Sequence, residues 1–246
     1  MKFKLSPVFV VAALAAGSLL GNAAQAQSFF QGFNDASLPA GWVNINRSTN
    51  PANGWSTTTA ITDEDGNPVV TPHEGARFAV VNFTSIASGS GTISNWLITP
   101  TLSLVNGSTF SFFTTTAPGS AFPDRLELRM SLAGSSTNVG TTPTDVGDFS
   151  TLLLSVNPTL AAGGYPETWT QFTATITGLN APTNGRLAFR YFVTSGGPTG
   201  ANSNIIGVDS VQYNAVPEPT TYALFAGGAL LVLVVARRQR SARATA

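Results

Sequence analysis

An all-β fold, a jelly-roll sandwich of two antiparallel sheets, is predicted for the body of this chain by three observations. Short runs alternate apolar and polar residues with period two. Glycine, serine, threonine, asparagine and proline punctuate those runs. No helical window of useful length occurs between residues 27 and 215. In Asp124–Leu132, for example, Leu126, Leu128, Met130 and Leu132 share one face, and Arg125, Glu127, Arg129 and Ser131 share the other. A strand with one apolar face must bury it, and many short strands of this kind are satisfied by two sheets packed face to face.

From the N-terminus, Met1-Lys2-Phe3-Lys4 is basic, Leu5–Gly21 is apolar, and Ala24-Gln25-Ala26 offers a small-x-small cleavage site. That pattern is a secretory signal peptide, residues 1–26, cut after Ala26 by signal peptidase. The domain that follows, residues 27–215, is expected to contain strands at Arg77–Phe83, Ile93–Ile98, Ser108–Thr116, Asp124–Leu132, Thr168–Thr177, Arg186–Val193 and Ile205–Tyr213. Asn106-Gly107, Pro118-Gly119, Gly163-Gly164, Asn184-Gly185 and Gly196-Gly197-Pro198 supply turns between them. No internal repeat is visible, so one domain is expected, with Asn214–Pro219 as its linker to the tail.

Charge and cysteine content exclude several functions. Both lysines lie in the signal peptide and four arginines lie in the tail. The domain therefore keeps six arginines against eleven acids, a net charge of −5. An acidic domain without lysine has no electrostatic footprint for nucleic acid. The absence of cysteine excludes disulfides, thiolate metal sites and a cysteine nucleophile. His73 is the single histidine, so a multi-histidine zinc centre is excluded too. A domain of this length is stabilised by core burial without staples.

Candidate chemistry is sparse. Asp63-Glu64-Asp65-Gly66-Asn67 is the densest acidic cluster, but glycine at its fourth position and Pro68 at its sixth do not fit an EF-hand. It reads as a solvated loop tip, with a loose calcium loop as the alternative. A serine triad needs a base held by an acid, and His73 lies in a Thr-Pro-His-Glu-Gly turn. Asp124 and Glu127 read as turn chemistry and strand solubility, not as a glycosidase pair. Asp209, placed on one strand face with Ile205 and Val211, would be costly to bury unpaired and needs an arginine, backbone amides or a metal.

The tail, residues 216–246, begins Val216-Pro217-Glu218-Pro219. Its prolines fix φ, remove amide donors and disfavour helix before them, so this stretch is extended and exposed, a shape a protease accepts. Thr220–Ala236 follows without a charge; the fifteen residues Tyr222–Ala236 reach roughly 22 Å as a helix, against a hydrocarbon core of about 30 Å. With flanking threonines and snorkelling arginines it makes a short transmembrane stop. Arg237, Arg238 and Arg240 predict a cytoplasmic end. An ordinary C-terminal anchor is the bland reading of such a span. All three parts in this order resemble the PEP-CTERM sorting signal of Gram-negative bacteria. The resemblance implies recognition by a membrane-embedded exosortase, cleavage near the motif, transient residence in the inner membrane, and association with extracellular polysaccharide and biofilm matrix.

A second resemblance spans the domain. Phe33-Asn34-Asp35-Ala36-Ser37-Leu38-Pro39-Ala40-Gly41-Trp42 resembles the opening of cleaved-adhesin and choice-of-anchor J domains. Asn95-Trp96-Leu97-Ile98-Thr99-Pro100 and Gly207-Val208-Asp209-Ser210-Val211 resemble two later landmarks of that family. The family fold is a jelly roll related to MAM and galactose-binding domains, in which a structural calcium often ties the first strand to the last. Carried over, this makes Asp35 and Asp209 candidate calcium ligands, although the family's usual Glu-Asp is Asn34-Asp35 here. An Asp209–arginine pair or an Asx turn is the alternative. Carbohydrate binders also occur in the fold family. Trp42 and Trp96 lie within landmarks and read as packing residues. Trp55 and Trp169, near loops, are the candidates for stacking on sugar rings.

The expectation for the whole chain is a non-enzymatic surface or extracellular-matrix protein, exported through the inner membrane and cut by exosortase. A carbohydrate-binding or adhesive module, with or without calcium, is the alternative.

Overall fold

The structure is a computed structural model describing residues 27–216 and 227–228. The signal peptide, Pro217-Glu218-Pro219, the expected membrane span (apart from Gly227 and Gly228) and Arg237, Arg238 and Arg240 lie outside the described residues. In chain order the strands are β1 (Phe29–Gln31), β2 (Val43–Asn46), β3 (Ser56–Thr58), β4 (Ile61–Thr62), β5 (Pro68–Val70), β6 (Phe78–Asn82) and β7 (Gly91–Ile98). They continue as β8 (Leu102–Leu104), β9 (Thr109–Thr116), β10 (Leu126–Ser131), β11 (Thr151–Val156), β12 (Thr170–Thr175), β13 (Thr183–Gly196) and β14 (Ile205–Asn214). A 3₁₀ turn at Phe83–Ser85 follows β6.

All pairings are antiparallel; they form the two sheets of a β-sandwich and a separate β4–β5 hairpin. The first runs β12-β9-β14-β6-β3, with β1 also on β14. The second runs β11-β10-β13-β7-β2, with β8 also on β13. The last strand of the domain is thus central to the first sheet. One of its edges is shared end to end: β6 pairs Ile205–Val208 and β1 pairs Val211–Tyr213.

Alternation explains the core. Phe110 and Phe112 of β9 face Leu187, Phe189, Tyr191 and Val193 of β13 and Leu126 and Leu128 of β10, all fully buried. Phe112 and Phe189 meet edge to face at 4.8 Å, the arrangement that aromatic quadrupoles favour.

Three expectations about strand faces are corrected. In β14, Ile206 and Val208 point into the core, and so do Val211 and Tyr213. A bulge between Asp209 and Gln212, with Ser210 at φ 49°, inserts the extra residue that switches parity. Asp209 therefore does not share a face with Val211. Leu132 lies beyond the end of β10 and is 45% exposed. The charged face of β10 is covered, not solvated: Val139 and Phe149 of the loop 132–150 pack on Trp96, Ile98 and Ala188 over the outside of the second sheet. Beneath that loop Glu127 bonds Arg129 at 2.6 Å and Arg190 at 3.3 Å. Arg190 also donates to the carbonyls of Pro143 and Asp145 and stacks between Trp96 and Phe192. Burial pushes its pKa down to about 10 against the opposing pull of Glu127.

Asp124 is also buried. Its Oδ1 accepts from Tyr191 Oη at 2.5 Å and from the Asn204 amide at 2.8 Å, and among the described residues no arginine forms an ion pair with it. Burial raises its pKa, against the lowering effect of those bonds. The hydroxyl of Thr116 lies 3.0 Å from Asp124 Oδ2 and 2.7 Å from the Ile205 carbonyl.

The expected linker is shorter than Asn214–Pro219. Asn214 ends β14, the Ala215 amide donates to Ser28 Oγ at 2.9 Å, and the Val216 amide donates to Ser108 Oγ at 3.1 Å. Order therefore persists to the first residue of the sorting stretch.

Candidate functional site

The outer face of the first sheet carries a small cover of its own. The β4–β5 hairpin lays Ile61 and Val70 on Phe78 and Val80, with Trp169 and Ile205 beside them. The hairpin tip is a closed turn. Asp63 Oδ1 accepts from the amides of Asp65 and Asn67, and Gly66 takes the φ of +83° that the turn requires. Those amides, Asn67 foremost, hold the Asp63 pKa below its ordinary value. Its carboxylate is thus occupied by its own loop, in line with a turn tip rather than a calcium loop.

Between this hairpin and the strand ends runs a groove of about 390 Å³, floored by Ile61, Ala117 and Ile205 and rimmed by Asp63, Glu64 and Asn82. A smaller hollow of about 130 Å³ lies between Phe122 and the loop 197–204. Phe83 and Asn204 line both. Phe83 is 36% exposed and Phe122 is 49% exposed. Phe83 is also held rigidly. Asn82 caps the 3₁₀ turn by accepting from the Thr84 amide at 2.8 Å, and the Phe83 amide donates to the Asn204 carbonyl at 2.9 Å. Reading Arg77–Phe83 as one strand places Phe83 on the inward parity with Ala79 and Val81. The Asn82-x-Thr84 cap ends the strand one residue earlier and turns the ring outward, and that pair of polar residues was the available signal.

The candidate sugar-stacking tryptophans do not line this groove. Trp55 is 3% exposed and its Nε1 donates to the Asn95 carbonyl, so it has no face to offer a ligand and that expectation is corrected. Trp169 is half-buried. It meets Phe78 edge to face at 5.3 Å, donates to the Thr71 carbonyl at 2.8 Å, and lies over Gly207, where a Cβ would come within 3.0 Å of its ring. Its role in this structure is to cover the sheet.

Asp209 is fully buried and its needs are met by main chain. Oδ2 accepts from the amides of His73 and Glu74, and Oδ1 from that of Ser210. Burial raises its pKa, and those amides lower it. Asp35 is exposed, and its carbonyl accepts from Thr57 Oγ1. Asn34, where the resembled family has glutamate, uses Oδ1 to accept from the Ala76 amide. Three N–H donors converge on the Asp209 carboxylate, and among the described residues no group of three acids or histidines could hold a metal. These residues do not fit a structural calcium, and of the partners open to Asp209 the structure supplies backbone amides.

His73 Nδ1 lies 2.8 Å from Ser210 Oγ, and its ring stacks on Phe113 at 3.7 Å. Ser210, His73 and Asp209 are the residue types of a nucleophilic triad. Asp209, however, grips the His73 main chain and not its ring, so it does not orient the imidazole as a triad acid does. The contact locks the loop 73–76 onto the bulge.

A family model described as the PEP-CTERM protein-sorting motif matches residues 215–240. No curated protein matches the chain in sequence. Among solved structures, the domain is similar to the K1 cleaved adhesin domain of Lys-gingipain from Porphyromonas gingivalis W83. The TM-score is 0.54 at 22% identity, covering 77% of this chain and 99% of that one. The K3 domain of the same protein gives 0.51 at 23% identity, covering 77% and 97%. The K2 domain gives 0.52 at 19%, covering 77% and 98%. At such identities the likeness is one of fold. The chain thus joins a β-sandwich with the fold of cleaved adhesin domains to a PEP-CTERM sorting motif, which implies exosortase-targeted export.

Proposed function

We propose that this is a non-enzymatic surface or extracellular-matrix protein of a Gram-negative bacterium. It is exported, freed of residues 1–26 by signal peptidase, held briefly in the inner membrane by residues 220–236, and cut by exosortase at Val216–Pro219. Outside, it associates with exopolysaccharide or biofilm. The sorting motif at 215–240 carries this reading. Intact mass of the extracellular protein tests it. A C-terminus between Pro217 and Thr220 is expected, and an end that retains Arg237, Arg238 and Arg240 would make the tail an ordinary anchor.

The groove beside Phe83 favours a second, compatible reading, a carbohydrate-binding or adhesive module. A rigidly held aromatic ring left in water beside carboxylate and amide side chains is an arrangement that recognises a ring with one apolar face and many hydroxyls.

A further inference from the structure

We infer that the groove between the β4–β5 hairpin and the Phe83 turn binds a cationic amino-sugar chain, a polymer of de-N-acetylated hexosamine. This rests on the second reading above and narrows it to one chemical class. Phe83 supplies the platform: it is 36% exposed, its main chain is tied to Asn82 and Asn204, and it lines both openings. Phe122, which is 49% exposed, lines the neighbouring hollow with it. A sugar of the chain can lay its C–H face on Phe83 while its polar edge meets Asn82 and Asn204.

Charge selects the class. Asp63 and Glu64 line the larger groove, and no arginine lines either opening. The Asp63 carboxylate, bonded within its own turn, adds negative charge to the rim, and Glu64, exposed beside it, is the carboxylate open to a cation. The domain as a whole carries −5 and has no lysine. A uronate-rich chain would meet like charge both at the groove and at long range. An ammonium group on each sugar meets carboxylates on the rim and the π face of Phe83.

The test is calorimetric titration of the full chain in detergent with three probes: a glucosamine hexamer, an N-acetylglucosamine hexamer and a galacturonate hexamer. The glucosamine hexamer is expected to bind best, and its affinity to fall with added salt. Phe83→Ala is expected to weaken it about tenfold, the scale of one aromatic contact. Glu64→Gln, at an exposed position that cannot disturb folding, is expected to weaken it and to flatten the salt dependence. Salt-independent binding of the N-acetylated hexamer that Phe83→Ala abolishes would overturn the charge assignment and leave a carbohydrate-binding groove. Binding of the glucosamine hexamer that survives both substitutions would overturn the site. If none of the three binds, both the inference and the second reading fall.

Discussion

Replacing Glu127 by glutamine removes one negative charge from between two arginines and leaves the side chain its size. Glu127 Oε2 sits 2.6 Å from Arg129 Nε and 3.3 Å from Arg190 Nη1, under the loop that covers the second sheet. Arg190 is 1% exposed, so water cannot take over the lost interaction. Removing one partner of a buried ion pair costs about 3–5 kcal/mol, because the other charge is left uncompensated. Arg190 keeps the Ser94 hydroxyl, two carbonyls and two aromatic faces, which places the expected loss at the lower end, about 3 kcal/mol. Urea unfolding measures it as a lowered midpoint at unchanged slope. Combining Glu127→Gln with Arg190→Met removes the stranded charge and is expected to be more stable than Glu127→Gln alone. A loss below about 0.5 kcal/mol, the scale of a solvated surface position, would refute the buried network.

Two further outcomes follow from the buried acids. The Asp124 pKa is raised in the folded state, so its contribution is fully present below the ordinary carboxylate range and is lost as pH rises through the folded value. Asp124→Asn mimics the neutral acid and is expected to flatten that decline in melting temperature. It leaves intact the acid limb set by Asp63 and Asp145, whose stabilisation is lost as pH falls through their lowered values, about 2 for Asp145. A variant with the parent's pH profile would contradict the assignment. Calcium followed by chelator is expected to leave the melting temperature unchanged, because the Asp209 carboxylate already accepts three amide protons. A drop on chelation would restore a metal between the first and last strands.

Much of the sandwich was legible because period-two alternation is a direct consequence of burying one face of a strand. Phe110 with Phe112, and Leu187 with Phe189 and Tyr191, point where their spacing says. What alternation cannot see is anything that changes parity or covers the second face. The bulge at Ser210 reversed the side on which Asp209 lies, and it depends on a positive φ at a residue that gives no local sign of it. Glu127 and Arg129 read as solvated because their lid is a loop, and loops declare themselves by turn residues and not by the surface they cover. The tryptophans misled for a related reason. Being out of phase with a strand's inner face placed Trp169 outside, but the outer face of that sheet is itself partly packed, by Phe78 and the hairpin. Phe83 was hidden by the opposite error, a strand read one residue too long.

The placement of β14 has a consequence for manufacture. Its neighbours β6 and β9, which pair also with β3 and β12, are made earlier, yet they are joined to each other only through this strand. Half of the sandwich must therefore wait, with its hydrogen-bonding edges open, until residues 205–214 have been delivered. The sorting stretch starts within two residues of that strand. Completion of the fold and arrival of the export address are thereby close in time, and a chain cut short before residue 205 lacks both the address and the strand that joins the two halves of the first sheet.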